Sequence, residues 1–190
     1  MNIGLYFGSF NPIHVGHLII ASHVLNHSQL DRIWFVVSPQ NPLKESAGLL
    51  NEHHRFHLVQ LAIENEPKFK ASNIEFSLSR PSYTIDTLTY LAEKHPQHQF
   101  SVVMGSDSFQ NITKWKNYQQ LLAQYALIIY QRPACPVDHT LNARIEVLEA
   151  PLLDISSTYI RNLIREKKSI RYLVTDEVMN DIQANGYYKK

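Results

Sequence analysis

The sequence predicts an α/β fold: a Rossmann-like, doubly wound parallel sheet with helices on both faces. Three observations point there. Short apolar runs rich in β-branched and aromatic residues recur along the chain, stretches of helical period separate them, and the first run empties into a glycine-bearing turn that opens a helix. Alternating strands and helices give a parallel sheet, and such a sheet binds its ligands beyond the carboxyl ends of its strands.

Taken in order, residues 3–7 read as a strand buried on both faces, and residues 15–28 as the helix after the first turn. Residues 32–37 form the second expected strand. Pro, Gly, Ser and Asn then gather over residues 39–50, which predicts the chain's mobile loop. A helix is expected over 52–65, a less regular strand over 69–78 and a helix over 84–94. The pattern continues with a strand over 100–104, a helix over 107–124, strands over 125–130 and 145–148, and a helical run over 160–166.

With 190 residues, 44% of them hydrophobic, the chain can bury one substantial core, so a single domain over 1–190 is expected, with a helical C-terminal part from about residue 156. A net charge of +1 with scattered Lys and Arg gives no footprint for a nucleic acid or an anionic membrane. Any phosphate binding must therefore be local. The single cysteine, Cys135, excludes an intramolecular disulfide, and its neighbours Pro133, Ala134 and Pro136 describe a loop, not a pocket that activates a thiol. Met1 leads straight into the first strand and no long apolar span follows, which predicts a cytoplasmic protein; a homo-oligomer stays open.

The most informative stretch is Gly8-Ser9-Phe10-Asn11-Pro12-Ile13-His14-Val15-Gly16-His17. A strand that ends in a glycine turn and a helix start leaves backbone N–H groups without helical partners, free to face an anion. His14 and His17 add imidazole donors near neutral pH. No Gly-Lys-Ser/Thr follows, so this is not a Walker loop, and Gly8 and Gly16 lack the dinucleotide-fingerprint spacing. A second cluster lies at Ile155-Ser156-Ser157-Thr158-Tyr159-Ile160-Arg161, where Ser156, Ser157 and Thr158 are strong cap residues ahead of a helix and Arg161 supplies a cation. Each cluster taken alone also reads as an ordinary turn or cap. Gly105 and Asp107 follow a strand end, where a carboxylate suits the hydroxyls of a ribose. Tyr83 and Trp115 offer flat faces for a base or pyridine ring, and Thr84 with helix-start amides suits an attached carboxylate.

The decapeptide fills every defining position of G-[ST]-F-[DN]-P-x-H-x-G-H and so resembles the HxGH signature of the nucleotidyltransferase superfamily. Residues 155–161 resemble that superfamily's [IL]-S-[ST]-T-x-[IV]-R element. Over nearly the whole chain the likeness is to the nicotinate mononucleotide adenylyltransferase family. It takes in the stretch from Arg80 to Leu88, Gly-x-Asp at 105–107, Trp115, Arg132-Pro133, and a tail from Arg171 to Val178 that ends Asn-Gly-Tyr-Tyr. One loop departs from the pattern: where the family commonly has Pro-Pro-His-Lys, this chain has Asn41-Pro42-Leu43-Lys44.

The resemblance implies a Rossmann-like domain of nucleotidyltransferase type that moves the adenylyl group of ATP to nicotinate mononucleotide, giving deamido-NAD and pyrophosphate. It implies that His14, His17 and Arg161 act on the phosphates, and that Gly8, Ser9, Phe10, Gly105, Asp107, Ser156, Ser157 and Thr158 bind ATP. Lys44, Tyr83, Thr84 and Trp115 then bind the acceptor, with Mg²⁺ held through the phosphates and water. Two other readings remain at this point: phosphopantetheine adenylyltransferase, which shares HxGH and Ser-Ser-Thr, and a nucleotide-binding module without turnover. His53 and His57 share a helix face but have no third ligand or HExxH glutamate, so they read as a solvated surface, as do His95 and His98 beside Pro96.

Overall fold

The apolar runs become strands β1 (Asn2–Gly8), β2 (Arg32–Val37), β3 (Phe69–Ser72), β4 (Gln99–Gly105), β5 (Ala126–Tyr130) and β6 (Ile145–Leu148). In this computed structural model, which describes residues 1–40, 48–137, 141–151 and 153–189, the strands form one sheet in the order β3-β2-β1-β4-β5-β6, each neighbouring pair parallel. The chain leaves β1 toward one edge and returns at β4 toward the other. The crevice at that reversal, beyond Gly8 and Gly105, is where such sheets bind ligands.

Successive side chains of a strand point to opposite faces, so the sheet builds two cores. Tyr6, Phe35, Val37, Val103 and Ile128 face helices α1 (Val15–His27) and α2 (Glu52–Ile63), with Ile160, Val178 and Ile182 from the C-terminal helices α6 (Ser157–Arg165) and α7 (Asp176–Asn185) in the same cluster. Leu5, Trp34, Val36, Val102 and Leu127 face the opposite way, against Ile85, Leu88 and Leu91 of α3 (Thr84–Lys94) and Leu121 and Leu122 of α5 (Tyr118–Gln124). Burial on both faces is why the strands read as continuous apolar runs.

Two elements differ from the sequence pattern. The strand expected over 69–78 stops at Ser72, whose register partner Val36 is one residue from the end of β2, and the chain then turns into a 3-10 helix, Ile74–Ser77. The helix expected over 107–124 breaks into α4 (Ser106–Phe109), a 3-10 turn Ile112–Lys114, and α5. Trp115 is extended and Asn117 takes a left-handed φ of +50°, so the helical hydrogen-bond ladder cannot run through. Apolar spacing persists across the break because Ile112 and Leu121 bury in the same core. Among the described residues no helix is long and apolar enough to cross a membrane.

One buried arginine ties the fold to its ligand-binding edge. Arg55 of α2 is 0% exposed and donates to the carbonyls of Ser9, Leu50 (2.7 Å), Ser38 (2.8 Å) and Pro39 (2.9 Å). Burial lowers its pKa from the ordinary arginine value. It is paired with oxygen dipoles at the ends of β1 and β2, and a carbonyl left without a donor in a buried site costs about 1–3 kcal/mol. Arg55→Met should therefore cost about 3 kcal/mol or more and lower the thermal midpoint by about 6–12 °C at roughly 2–4 °C per kcal/mol. Scanning calorimetry that finds an unchanged midpoint contradicts this role.

Candidate active site

β1 brings the chain to Gly8 at the crevice, and the following turn is held by its aromatic ring. Phe10 has a left-handed φ of +45°, which costs a residue with a Cβ about 1–2 kcal/mol. Its ring is 2% exposed and packs edge-to-face on Tyr6 at 5.9 Å and on His17 at 5.1 Å between centroids. Burying a phenyl ring contributes about 1.5–3 kcal/mol, enough to offset the strained backbone.

His14 is the N-cap residue of α1, and its ring stacks on that of His17 at 3.7 Å with 28° between the planes. The stack leaves little room at Gly16, where a Cβ would lie 3.0 Å from His14 Nδ1. The backbone N–H of His14 donates to Nδ1 of His17 at 3.2 Å. That assignment makes Nδ1 the acceptor and leaves the ring proton on Nε2. Burial, reinforced by the Arg132 guanidinium, pushes the His14 pKa down to about 4, so its ring is neutral near pH 7. Nδ1 of His14 is buried with no hydrogen-bond partner among the described residues.

The N-terminus of α6 docks on this turn. Ser157 Oγ donates to the Pro12 carbonyl at 2.8 Å, and Arg161 Nη1 donates to the Asn11 carbonyl at 2.8 Å. Arg161 Nη2 also reaches Thr158 Oγ1 at 3.2 Å, while Ser156 caps the helix by accepting from the Tyr159 N–H at 3.2 Å. Burial, then the nearby Arg165, lowers the Arg161 pKa from its ordinary value. A cavity of about 400 Å³ results, and it gathers Ser9, Phe10, His14, His17, Ser156, Ser157, Thr158 and Arg161 from opposite ends of the sequence. The Ser157 hydroxyl proton is already spent on Pro12, so this side chain ties α6 to the turn.

A larger cavity of about 800 Å³ adjoins the first, and both share Gly8, Ser9, Asp107 and Tyr130 as walls. Its far end holds Tyr83, Thr84 and Trp115, with Gly105 beside the shared wall. The break at 110–117 is what presents Trp115 there. Tyr83, the N-cap of α3, makes no side-chain hydrogen bond to the first-turn amides. Lys116 pairs with Asp86 at 2.8 Å and lies over the Tyr83 ring at 4.8 Å, which links the two aromatic walls.

Asp107 faces both cavities and pairs with Arg132, whose Nε lies 3.0 Å from Oδ1. Arg132 also covers the Tyr130 ring at 5.4 Å. Arg132 stands in the sequence only within the family block Arg132-Pro133; its place two residues beyond the end of β5 is the signal that marks it as a crevice residue. Lys44 and Leu43 lie outside the described residues. His53 packs on Phe76 at 5.2 Å and His57 lies 3.7 Å from Asp181, both away from the crevice. Among the described residues no cluster of three His, Cys, Asp or Glu is placed to hold a metal ion.

Comparison with known proteins identifies the family. The cytidylyltransferase-like family matches over residues 5–163. A Cytophaga hutchinsonii protein named "Probable nicotinate-nucleotide adenylyltransferase" is 52% identical over 99% of this chain and 98% of its own. A Flavobacterium psychrophilum protein of the same name is 46% identical over the full length of both chains. The structure of Plasmodium falciparum nicotinic acid mononucleotide adenylyltransferase complexed with NaAD superposes with a TM-score of 0.83 at 25% identity, over 98% of this chain and 97% of that one. The chain thus belongs to the cytidylyltransferase-like family and, within it, to the nicotinate-nucleotide adenylyltransferases.

Proposed function

We propose that this protein transfers the adenylyl group of ATP to nicotinate mononucleotide, releasing pyrophosphate and deamido-NAD in the cytoplasm. The observation that carries the reading is the pair of cavities that meet at Gly8, Ser9 and Asp107, one lined by His14, His17 and Arg161 and the other by Tyr83, Thr84 and Trp115. Two nucleotides placed in them meet phosphate to phosphate at the turn.

An oxygen of the acceptor's 5′-phosphate attacks the α-phosphorus of ATP, one P–O bond forms, and the bond to the β-phosphate breaks. A phosphate dianion is already a nucleophile, so no side chain has to remove a proton. Catalysis then consists of positioning and charge stabilisation. His17 donates from Nε2 to the α-phosphate and His14 offers a neutral imidazole beside it, while Thr158, Arg161 and the Ser156 cap orient the leaving pyrophosphate. Ser157 supports them by holding α6 on the turn. Gly105 and Asp107 border the ribose, and Arg132 adds a cation between the phosphates. The carboxylate nearest the phosphate cavity, Asp107, is engaged by Arg132, so the donor set fits an Mg²⁺ ion that arrives with ATP and keeps phosphate and water as ligands.

Tyr83 and Trp115 hold the pyridine ring by stacking, and the open first-turn N–H groups of α3, from Thr84 onward, face its carboxylate. Helix N-termini favour an anion over a neutral amide of the same shape. The specificity constant for nicotinate mononucleotide should exceed that for nicotinamide mononucleotide by about 30- to 1,000-fold. Pyrophosphate release measured with each acceptor decides this, and equal values contradict the acceptor assignment while leaving adenylyl transfer standing. His17→Ala should lower turnover by about 100- to 1,000-fold; because it also removes the ring contacts with Phe10 and His14, turnover is compared on protein that circular dichroism shows to be folded. Near-native turnover by the folded variant removes His17 from the transition state.

A further inference from the structure

Glu75 has no part in the transfer described above, yet it is one of the most buried ionisable side chains, 2% exposed on the wall of the larger cavity. It sits in the 3-10 turn that follows β3, and its carboxyl group gathers hydroxyls from three separate segments. Ser82 Oγ donates to Oε2 at 2.7 Å, Thr87 Oγ1 donates to Oε1 at 2.9 Å, and the Ser38 hydroxyl, just past β2, also hydrogen-bonds to it. Ser82 and Thr87 are themselves 8% and 0% exposed.

Those two hydroxyls bracket Tyr83 and Thr84. An α-helix start is ordinarily fixed by an N-cap side chain, and Tyr83 provides no such bond. A carboxylate has about four lone-pair sites, so a single group can accept from three hydroxyls at once. We propose that Glu75 is the positioning residue of the acceptor pocket: it holds the start of α3, with Tyr83 and the open first-turn amides, at a fixed distance from the end of β2. The inference rests on the acceptor assignment made above.

Burial pushes the Glu75 carboxyl up, and the Ser82, Thr87 and Ser38 hydroxyls pull it back. An apolar residue at 75 strands the buried hydroxyls of Ser82 and Thr87, whereas Gln keeps an acceptor oxygen and the shape. Thr87→Val is isosteric and removes one donor, leaving every residue that touches substrate in place. None of these positions lines the phosphate cavity.

The test is steady-state kinetics with both substrates varied, on Glu75→Leu, Glu75→Gln and Thr87→Val. Glu75→Leu and Thr87→Val should raise KM for nicotinate mononucleotide about tenfold or more and leave KM for ATP within about twofold, and Glu75→Gln should recover most of the loss. If Glu75→Leu does not fold, Thr87→Val and Ser82→Ala read the same ratio. Variants that change both KM values together, or neither, overturn the role of Glu75 alone. A wild-type protein inactive on nicotinate mononucleotide overturns this role together with the acceptor assignment.

Discussion

The site depends on how the carbonyls of one turn are held. Three side chains from distant parts of the chain take the backbone oxygens that follow β1: Arg55 takes Ser9, Arg161 takes Asn11 and Ser157 takes Pro12. In a trans peptide the N–H points away from its own carbonyl, so holding the Ser9 oxygen on Arg55 fixes the direction of the Phe10 N–H, and Phe10 lines the cavity beside the two imidazoles. Arg55 links the turn to the sheet and α6 closes it from the opposite side, so the cavity is built by contacts from both ends of the sequence.

This arrangement explains how a chain of net charge +1 can bind polyphosphate. No basic surface is needed when the positive potential is confined to a crevice with low-dielectric walls. The neutral state of His14 fits that design. An imidazolium there would be buried beside Arg132 and would pay both desolvation and repulsion, whereas a neutral ring costs little and still donates. In the proposed reading, charge comes from Arg132 and Arg161, and direction from the histidines and the backbone.

Most of the sheet was legible because strands buried on both faces leave continuous apolar runs, and α3 over residues 84–94 was legible because its buried positions Ile85, Leu88 and Leu91 keep a helical period. The break within 107–124 was not, since its apolar spacing serves the same core on either side. The two histidines and the Ser-Ser-Thr cap carry their chemistry in local order and spacing, so the sequence displays them. Arg55, Glu75 and Arg132 act through partners that only folding brings near: the Ser9 carbonyl that Arg55 holds is 46 residues away along the chain. An arginine in an expected helix and a glutamate within the strand expected over 69–78 look like solvated charges until those partners are known. The tail helix α7 was visible only as part of a family block, although Thr175 at its start and Gly186 at its end are ordinary cap signals.

The most direct test of the account is a crystal structure with a non-hydrolysable ATP analogue and nicotinate mononucleotide bound together. The α-phosphate should lie within about 2.7–3.2 Å of a His17 nitrogen and of a backbone N–H of the turn after β1, with the β- or γ-phosphate on Arg161 and the pyridine ring between Tyr83 and Trp115. A triphosphate seated away from the turn, with the Ser9, Asn11 and Pro12 carbonyls still held by Arg55, Arg161 and Ser157, would contradict it.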